Sequence, residues 1–425
     1  MPISETLPPM RSFAAVNAFG TTRPNGEIAQ DFLDLSFMME SGRVIPAMTR
    51  FEGPISVRLN GNVPPTLVQD LRQLIDRLRN EAGIDIFLTG APEANITIQG
   101  ISRDELQRAV PRAACFVVPR VSSWDEFKQV RHTPRVDWTT LDRRDQAAIF
   151  MPTDTAPQEM RDCMHEELAQ ALGPLNDLYR LSDSVFNDDN IHAVLTGFDM
   201  LILQTYYAPE LRNGMRRGEV AARLPALLAR LNPGGEYAGQ YLQLDTSRDW
   251  IDAVETALSG TTTAARRRIA AERAINLTQN FGWTGPRRGF AFYAYGRLQV
   301  GYDPDQALAA FNESYQTYLA ASDTQLHAAT VAVQLAAFSL SAGDATTTVG
   351  LADFAIPIAT RAQNASLLAT LMMFKAEGLA MQGLREQAAA LRLDSLGWAR
   401  YGFGSDRNVR ARLREIADLN PLNEG

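Results

Sequence analysis

Residues 166–177, which read EELAQALGPLND, form the stretch around which the rest of the chain is organised. Residues four apart lie on one face of a helix, so the side chains of Glu166 and Gln170 project toward the same point. Gly173 allows the chain to turn sharply after the helix, and this turn returns Asn176 to that point. The spacing therefore predicts a helix and a tight turn that bring one carboxylate and two amides together.

This spacing resembles the long zinc-binding signature of the metzincin peptidases, H-E-x-x-H-x-x-G-x-x-H followed by Asp. The three positions that carry histidine ligands in that signature are here occupied by Glu166, Gln170 and Asn176. Glu167 stands at the position of the general base, while Gly173 and Asp177 are retained. The frame of a zinc peptidase is present without its histidines.

The resemblance extends to both sides of the motif. Ser184-Val185-Phe186 falls at the turn that follows the third ligand in metzincins, with Phe186 where the family has methionine. Leu195-Thr196 begins a run that is similar to the family's last helix and contains Asp199, Gln204 and Tyr207. Residues 94–98 (ANITI) look like its central strand. Over roughly residues 53–209 the chain resembles an uncharacterised bacterial family of degenerate metzincin-like proteins, which implies an α+β zincin-like domain.

The types of residue at the ligand positions bear on which metal could bind. Zinc favours cysteine, histidine and carboxylate ligands, whereas side-chain amides suit hard ions such as calcium or magnesium. We therefore expect no cofactor, and a buried network in which the amides of Gln170 and Asn176 donate hydrogen bonds to Glu166 or Glu167. A hard ion, or a catalytic zinc with Glu167 as general base, remains an alternative.

Histidines offer a second route to zinc. In a plain H-E-x-x-H register starting at His165, Ala169 would occupy the second ligand position, so that register fails. His165 also points roughly 100° away from Glu166 around the helix. A composite zinc site formed by His165, His192 and Glu166 is a further alternative.

Composition limits the classes of function. A chain of 425 residues is expected to form two or three domains. The formal net charge of −8 and the isoelectric point near 5.2 argue against a nucleic-acid partner, because such partners require concentrated positive charge. No run approaches the roughly 18 apolar residues of a membrane span.

The two cysteines, Cys115 and Cys163, bear on the cellular compartment. They could form one disulfide if the protein is exported, or remain two buried thiols. The first residues, MPISETLPPMRSFA, lack a basic segment followed by an apolar one. The resemblance implies an exported, periplasmic protein if this is a mature chain, and a cytoplasmic location is expected if the given start is native.

The first half of the sequence shows the pattern of an α+β domain. Residues 1–27 are rich in proline and polar residues and predict a flexible arm before a domain at 28–235. Residues 65–82 have the spacing of an amphipathic helix, and Pro157 opens the motif helix. The acidic run 183–190 predicts a solvated turn with Asx caps rather than a calcium loop. Strands are predicted at residues 45–51, 55–59, 84–88, 96–98, 114–118 and 147–151.

The second half predicts an all-helical domain at 236–425, after the boundary Asn232-Pro233-Gly234-Gly235. In GYDPDQALAAFNESY (301–315), Ala307 and Phe311 resemble the second half of a tetratricopeptide repeat. A weaker match is formed by Gly383, Ala388 and Leu391. An array of antiparallel helix pairs is the preferred interpretation, and a plain helical bundle is the alternative.

These patterns favour a catalytically degenerate metzincin-like protein that acts as a scaffold. It would bind a protein or peptide partner through the cleft or through the helical repeats. One alternative is a metal-dependent peptidase with non-standard ligands and Glu167 as general base. Another is a helical-repeat adaptor whose first domain is only an anchor.

Overall fold

A five-stranded mixed sheet organises the first half of the chain. The computed structural model describes residues 6–14, 20–21, 23–111, 113–237 and 245–423. The strands are β1 (Ile55–Asn60), β2 (Ile86–Leu88), β3 (Ile96–Ile101), β4 (Phe116–Pro119) and β5 (Ala147–Pro152). Their order is β2-β1-β3-β5-β4; all neighbours are parallel except β4, which pairs antiparallel with β5 at one edge.

Helices cover both faces of this sheet. The helices of the first half are α1 (Asn25–Ser36), α2 (Pro65–Glu81), α3 (Arg103–Ala109), α4 (Trp124–Val130), α5 (Pro157–Leu172), α6 (Gly197–Tyr206), α7 (Arg217–Ala221) and α8 (Leu224–Leu231). Side chains alternate between the faces of β5, as strand geometry requires. Ile149 belongs to the core shared with α2 and α5, whereas Phe150 packs with Trp124 and Phe127 of α4.

Five of the six predicted strands are confirmed, and so are the helices predicted at residue 65 and at Pro157. The strand predicted at residues 45–51 is wrong. In this segment Ile45, Met48 and Phe51 are buried at a spacing of three rather than two. The backbone groups of Met48 pair with a loop, donating to the carbonyl of Met215 and accepting from Gly214.

Consecutive helical hairpins form the second half. The helices are α9 (Arg248–Leu258), α10 (Ala264–Asn280), α11 (Pro286–Gln299), α12 (Pro304–Leu319), α13 (Gln325–Ser341), α14 (Ala345–Arg361), α15 (Ala365–Met381), α16 (Arg385–Phe403) and α17 (Asp406–Ala417). Each helix packs against the next one in the chain. Helices α11, α13 and α15 begin 39 and 40 residues apart, at Pro286, Gln325 and Ala365. The helical-repeat interpretation therefore fits, with a period near 40 residues.

Small residues let the paired helices approach closely. An added Cβ at Gly289 of α11 would lie 2.7 Å from the ring of Tyr318, and one at Gly296 would lie 2.7 Å from the ring of Phe311. Both rings come from α12 and are buried. The Oγ of Ser314 donates a hydrogen bond of 2.8 Å to the carbonyl of Gly289. The α11–α12 pair is thus held by aromatic rings seated on glycines.

The two halves meet along the first turns of α5. The Nε2 of Gln158 donates to Asn364 and Ser366, at 3.0 and 3.3 Å, just before and at the start of α15. The Nη2 of Arg161 donates to the carbonyl of Gln363. The motif helix therefore contacts the sheet on one side and the helical hairpins on the other.

Part of the N-terminal segment lies on the second half as well. The amide of Arg11 donates to the carbonyl of Gly397, and the ring of Phe13 lies 4.5 Å from that of Trp398, centroid to centroid. Residues 1–5, 15–19 and 22 of the predicted arm lie outside the described residues, as do residues 238–244 after the predicted domain boundary. Within the described chain, no helix is long and apolar enough to cross a membrane.

Candidate functional site

The motif helix α5 ends at Gly173, and the reason for glycine there differs from the expected one. Gly173 has φ −161°, an extended conformation that other residues adopt as well. An added Cβ would lie 3.0 Å from the ring of Tyr206, a fully buried residue of α6. Glycine at this position therefore provides space for an aromatic ring rather than freedom for a left-handed turn.

The end of α5 is held by Arg144, a residue that the sequence reasoning missed. Arg144 is only 3% exposed, and its guanidinium lies over the ring of Trp138. Burial lowers the pKa of Arg144 from its ordinary value. Its two terminal nitrogens donate hydrogen bonds of 2.5–2.7 Å to the carbonyls of Gln170, Ala171 and Gly173. These carbonyls have no partner within the helix, so Arg144 acts as the cap of α5.

Glu167, at the general-base position, is buried against the edge strand β4. Its side chain is 5% exposed and accepts a hydrogen bond from the amide of Val117. The Oε2 atom is buried without a hydrogen-bond partner among the described residues. Burial, and then the charges of Glu166 and Glu40, hold the pKa of Glu167 well above its usual range. Burial of this carboxyl group therefore favours its neutral form over its ionised form.

Glu166 projects into a group of carboxylates that we call the acidic cluster, formed by Glu40, Glu166, Asp177 and Asp188. Burial, followed by the charges of Glu40 and Asp188, raises the pKa of Glu166 to about 7. Burial also raises the pKa of Asp188 to about 7, with further contributions from Glu40 and Glu255. The pKa of Asp177 is held well above its usual range by burial and by neighbouring carboxyl groups, and its carboxyl is hydrogen-bonded to that of Glu40.

The two amides of the motif do not form the predicted network with the glutamates. Asn176 is 5% exposed, and its Nδ2 donates a hydrogen bond of 3.0 Å to the carbonyl of Asp34 in α1. Gln170 is 7% exposed. Neither amide donates to Glu166 or Glu167 in the part of the chain that the structure describes. Asn176 instead fixes the turn after α5 against α1.

His165 and His192, the two histidines of the alternative zinc site, make hydrogen bonds with other groups. The Nδ1 of His165 accepts a hydrogen bond of 3.2 Å from the amide of Leu195, and burial lowers the pKa of His165 well below its usual value. His192 lies 2.9 Å from the carbonyl of Ser182 through its Nε2, and burial lowers its pKa to about 4. Across the described ranges, no three His, Cys, Asp or Glu side chains are arranged to hold a metal ion.

The turn containing Ser184 and Phe186 is fixed by Asp199. This buried carboxylate accepts hydrogen bonds from the Oγ of Ser184 and from the amides of Val185 and Thr196. Asp199 and Thr196 also form the capping box of α6. Phe186 is fully buried in the main core. The spacing of these residues thus has a structural reason, because one carboxylate ties the turn to the start of α6.

Cys115 and Cys163 are joined by a disulfide with a Cα–Cα distance of 6.0 Å. The bond links the residue just before β4 to the middle of α5. Because Val117 and Glu167 make a hydrogen bond nearby, the edge strand is attached to the motif helix by one covalent and one polar contact.

The acidic run is mostly buried or half-buried, and Asn190 is its exposed residue, which corrects the prediction of a solvated turn. Asn187 and Asp189 do form the expected Asx caps, since their side-chain oxygens accept from the amides of Asp189 and Ile191. However, the Asp189 side chain is 4% exposed and lies 2.7 Å from the Nε2 of the fully buried His327 in α13. Ile191 belongs to the core of the helical hairpins. We call residues 187–191 the inserted loop.

A cavity of about 450 Å³ lies between the inserted loop and the helical hairpins. Its walls come from α9, α11, α13, α15, α17, the inserted loop and the last residue of α16. Asp188 belongs both to this wall and to the acidic cluster. One loop therefore connects the surroundings of the motif helix with the helical hairpins, which the sequence analysis considered separately.

Comparison with known proteins adds one similarity. Residues 25–226 match a sequence family described as "Protein of unknown function (DUF2927)". The match begins with α1 and ends in α8, so it covers the sheet, the motif helix and the inserted loop. The helical hairpins lie beyond it. A search of the curated proteins gives no match.

Proposed function

We propose that this chain is a peptide-binding scaffold in which a degenerate metzincin-like domain is joined to a helical-repeat domain. The observation that carries the proposal is the burial of Glu167 at the position of the general base. A general base must be ionised and must reach a water molecule. Glu167 is instead buried and hydrogen-bonded to the edge strand, and this burial raises its pKa and so disfavours the ionised form.

The chemistry of the ligand positions supports the same proposal. One carboxylate and two amides are a poor donor set for zinc. Asn176 is fixed to the carbonyl of Asp34, and the nearest histidine, His165, accepts a hydrogen bond from Leu195. These residues do not fit a catalytic zinc, so we assign no reaction step to a metal.

The cavity supports a role in binding. Binding sites are typically concave, partly apolar, and located between structural units. This cavity has aromatic and aliphatic walls and also amide and hydroxyl groups, and it lies where the first half meets the hairpins. The Cys115–Cys163 disulfide supports an exported location, because such bonds persist in oxidising compartments.

Peptide selection tests the proposal on the full chain. Short random peptides displayed on phage are selected against the protein, and the enriched peptides are synthesised with a fluorescent label. We expect the dissociation constants from anisotropy to be unchanged by excess EDTA and by Glu167→Gln, and mass spectrometry to find the peptides intact. Peptide cleavage that either EDTA or Glu167→Gln abolishes would establish the peptidase alternative. A selection that enriches no peptide would refute the scaffold proposal.

A further inference from the structure

We propose that helix α16 carries a recognition site for an extended peptide of a partner protein, and that residues 7–14 of this chain (LPPMRSFA) occupy the site in competition with that partner. We call these residues the resident segment. The partner peptide shares the chemistry of the segment: an extended backbone with proline, a basic side chain, and an aromatic ring two residues later. Among the described residues, the site and the cavity share no lining residue, so the inference goes beyond the proposed function and adds a second surface.

The resident segment lies on α16 as an extended peptide. Residues 7–14 form neither helix nor strand, and their proline pair favours the extended polyproline conformation. The amide of Arg11 donates a hydrogen bond of 3.0 Å to the carbonyl of Gly397, and the Nη1 of Arg400 donates one of 3.0 Å to the carbonyl of Pro8. Both bonds are made to the main chain of the segment, so α16 can hold another extended peptide in the same way.

Gly397 gives the site its close backbone approach. An added Cβ would lie 3.0 Å from the Cγ of Arg11 and 3.2 Å from the carbonyl oxygen of Pro9. The three atoms nearest to that position all belong to these two residues. Glycine in the middle of a helix is unfavourable by roughly 0.5–1 kcal/mol relative to alanine. The space that this glycine leaves on α16 is therefore filled by the peptide and by nothing closer.

Two side chains of the segment give the site its chemical preference. The Nη2 of Arg11 lies 2.5 Å from the Oδ1 of Asp394. The ring of Phe13 lies 4.5 Å from that of Trp398, and the guanidinium of Arg11 lies 5.8 Å from the centroid of the same indole. Because the ion pair is half-exposed, most of the affinity is expected from the aromatic contact. The site therefore selects a cation followed by an aromatic ring.

The segment is attached at the surface and does not form part of the interior. Leu7, Pro8 and Phe13 are half-buried, and the other residues of the segment are exposed. Leu7 and Phe13 pack against the core of the helical hairpins from outside. Helix α16 also packs against α5, α15 and α17, so it keeps these partners when the segment leaves.

A buried group beneath Phe13 shows that the resident segment leaves one interaction unused. The guanidinium of Arg161 in α5 lies 5.8 Å from the ring centroid of Phe13 and 5.3 Å from that of Tyr401. Arg161 is 4% exposed, and its Nε is buried without a hydrogen-bond partner among the described residues. Such a donor is unfavourable, and phenylalanine has no oxygen to offer it. A partner with an acceptor at this position can make the missing bond and displace the segment.

Release of the resident segment within the full chain tests the inference. Arg11→Glu with Phe13→Ala removes the two side-chain contacts of the segment, and we call this double substitution the released variant. A fluorescent peptide with the sequence of residues 7–14 is added to each protein, and binding is followed by anisotropy. We expect the original protein to bind the peptide at least about tenfold more weakly than the released variant, because the tethered segment competes at a high effective concentration.

Gly397 identifies where the added peptide binds. In the released variant, Gly397→Leu places a side chain where the peptide backbone lies and should weaken binding at least about tenfold. Gly350→Leu is the matched control, because it lies at an exposed position of α14 where an added Cβ has nothing within 4 Å, and it should leave binding unchanged. A peptide that carries Phe13→Ala should bind the released variant about tenfold more weakly, because it lacks the ring that contacts Trp398.

Equal affinity of the original protein and the released variant for the peptide, or binding unchanged by Gly397→Leu, would overturn the inference. Circular dichroism shows whether each variant is folded. An unfolded released variant would make the segment a part of the core and would also overturn the inference. If Gly397→Leu is unfolded, Asp394→Arg replaces it. This charge reversal should weaken binding of the peptide and restore binding of a peptide that carries Arg11→Glu, and no change with either peptide would overturn the inference.

Gel filtration of the original protein and the released variant distinguishes a partner from a second copy of this chain. A dimer that the original protein forms and the released variant does not would identify a second copy as the occupant, and would overturn the assignment to a partner. None of these measurements uses the selected peptides that test the scaffold proposal, so the two proposals can fail separately.

Discussion

In residues 25–237 the interior contains charged groups with individual partners, whereas in residues 245–423 two glycines of α11 let the aromatic rings of α12 pack directly against the helix. Arg144 and Asp199 each hold several backbone groups in place in the first region. In the second region, Gly289 and Gly296 let two helices pack closely, because they leave room for the rings of Tyr318 and Phe311. A single substitution should therefore act through lost hydrogen bonds in one region and through lost space in the other.

The largest effect is expected for Arg144→Met. The substitution keeps much of the apolar stem but leaves three buried carbonyls at the end of α5 without a donor. We expect the free energy of unfolding to fall by about 3–5 kcal/mol in urea titrations followed by circular dichroism. Arg143→Met is the matched control, because the Arg143 side chain is 68% exposed and its pair with Asp145 lies at the surface. Equal effects of the two substitutions would contradict the role of Arg144 as a cap.

A somewhat smaller effect is expected when the disulfide is removed by Cys115→Ser with Cys163→Ser. The bond closes a loop of sequence separation 48, which restricts the unfolded chain. Stability should fall by about 2–4 kcal/mol, measured in the same urea titration. The original protein treated with a reductant should show the same loss, and the double variant should not respond to the reductant. If the reductant also destabilised the double variant, the loss of stability could not be assigned to the Cys115–Cys163 bond.

The glycines of the helical half provide the next prediction. Gly289→Ala should lower the free energy of unfolding by about 1–3 kcal/mol, because the new Cβ would meet the ring of Tyr318 at 2.7 Å. Gly350→Ala in α14 is the matched control, since an added Cβ there has nothing within 4 Å. That substitution should stabilise the protein by up to about 1 kcal/mol through helix propensity. Thermal unfolding of both variants checks the opposite signs.

The smallest expected effect concerns pH and Glu166. Its pKa is raised to about 7 in the folded protein, so the folded state binds a proton more tightly than the unfolded state does. Its contribution to stability is therefore present at low pH and is lost as pH rises through the window from about 4 to about 7. Glu166→Gln should stabilise the protein more at pH 8 than at pH 5, by about 2 kcal/mol.

Comparing the variant with the original protein separates the effect of the Glu166 carboxyl group on stability from the effect of the histidines. His192 has a lowered pKa of about 4, so it destabilises the fold as pH falls, which is the opposite trend. Glu386→Gln, at an exposed position of α16, serves as the control. If the effect of Glu166→Gln did not depend on pH, the raised pKa that burial gives Glu166 would be contradicted.

Much of the fold was predictable because it depends on periodic patterns. The helical spacing of α2, the apolar run of β5 and the proline that opens α5 each predict their elements within a few residues. Residues 45–51 broke the pattern, since their buried apolar side chains recur every third residue and their backbone pairs with a loop. Such pairing depends on residues 213–215, which are distant in the sequence.

The candidate site was predictable only as a set of positions. The spacing of the motif located Glu166, Glu167 and Asn176 on α5 and on the turn that follows it, but not the groups that each contacts. Arg143 and Arg144 are adjacent in the same polar stretch, yet one is at the surface and the other is the cap of α5. Only the packing of β5 beside α5 distinguishes them, so no local signal could have identified Arg144.

The inserted loop makes the two halves depend on each other during evolution. Asp189 and Ile191 are encoded in the first half but complete the interior of the second, where they meet His327 and the apolar core of the hairpins. A gene fusion that exchanged the helical half for another array would leave Asp189 without its histidine and Ile191 without its apolar neighbours. A substitution in the inserted loop therefore requires a compensating substitution in the helices that contact it, and the reverse is also true.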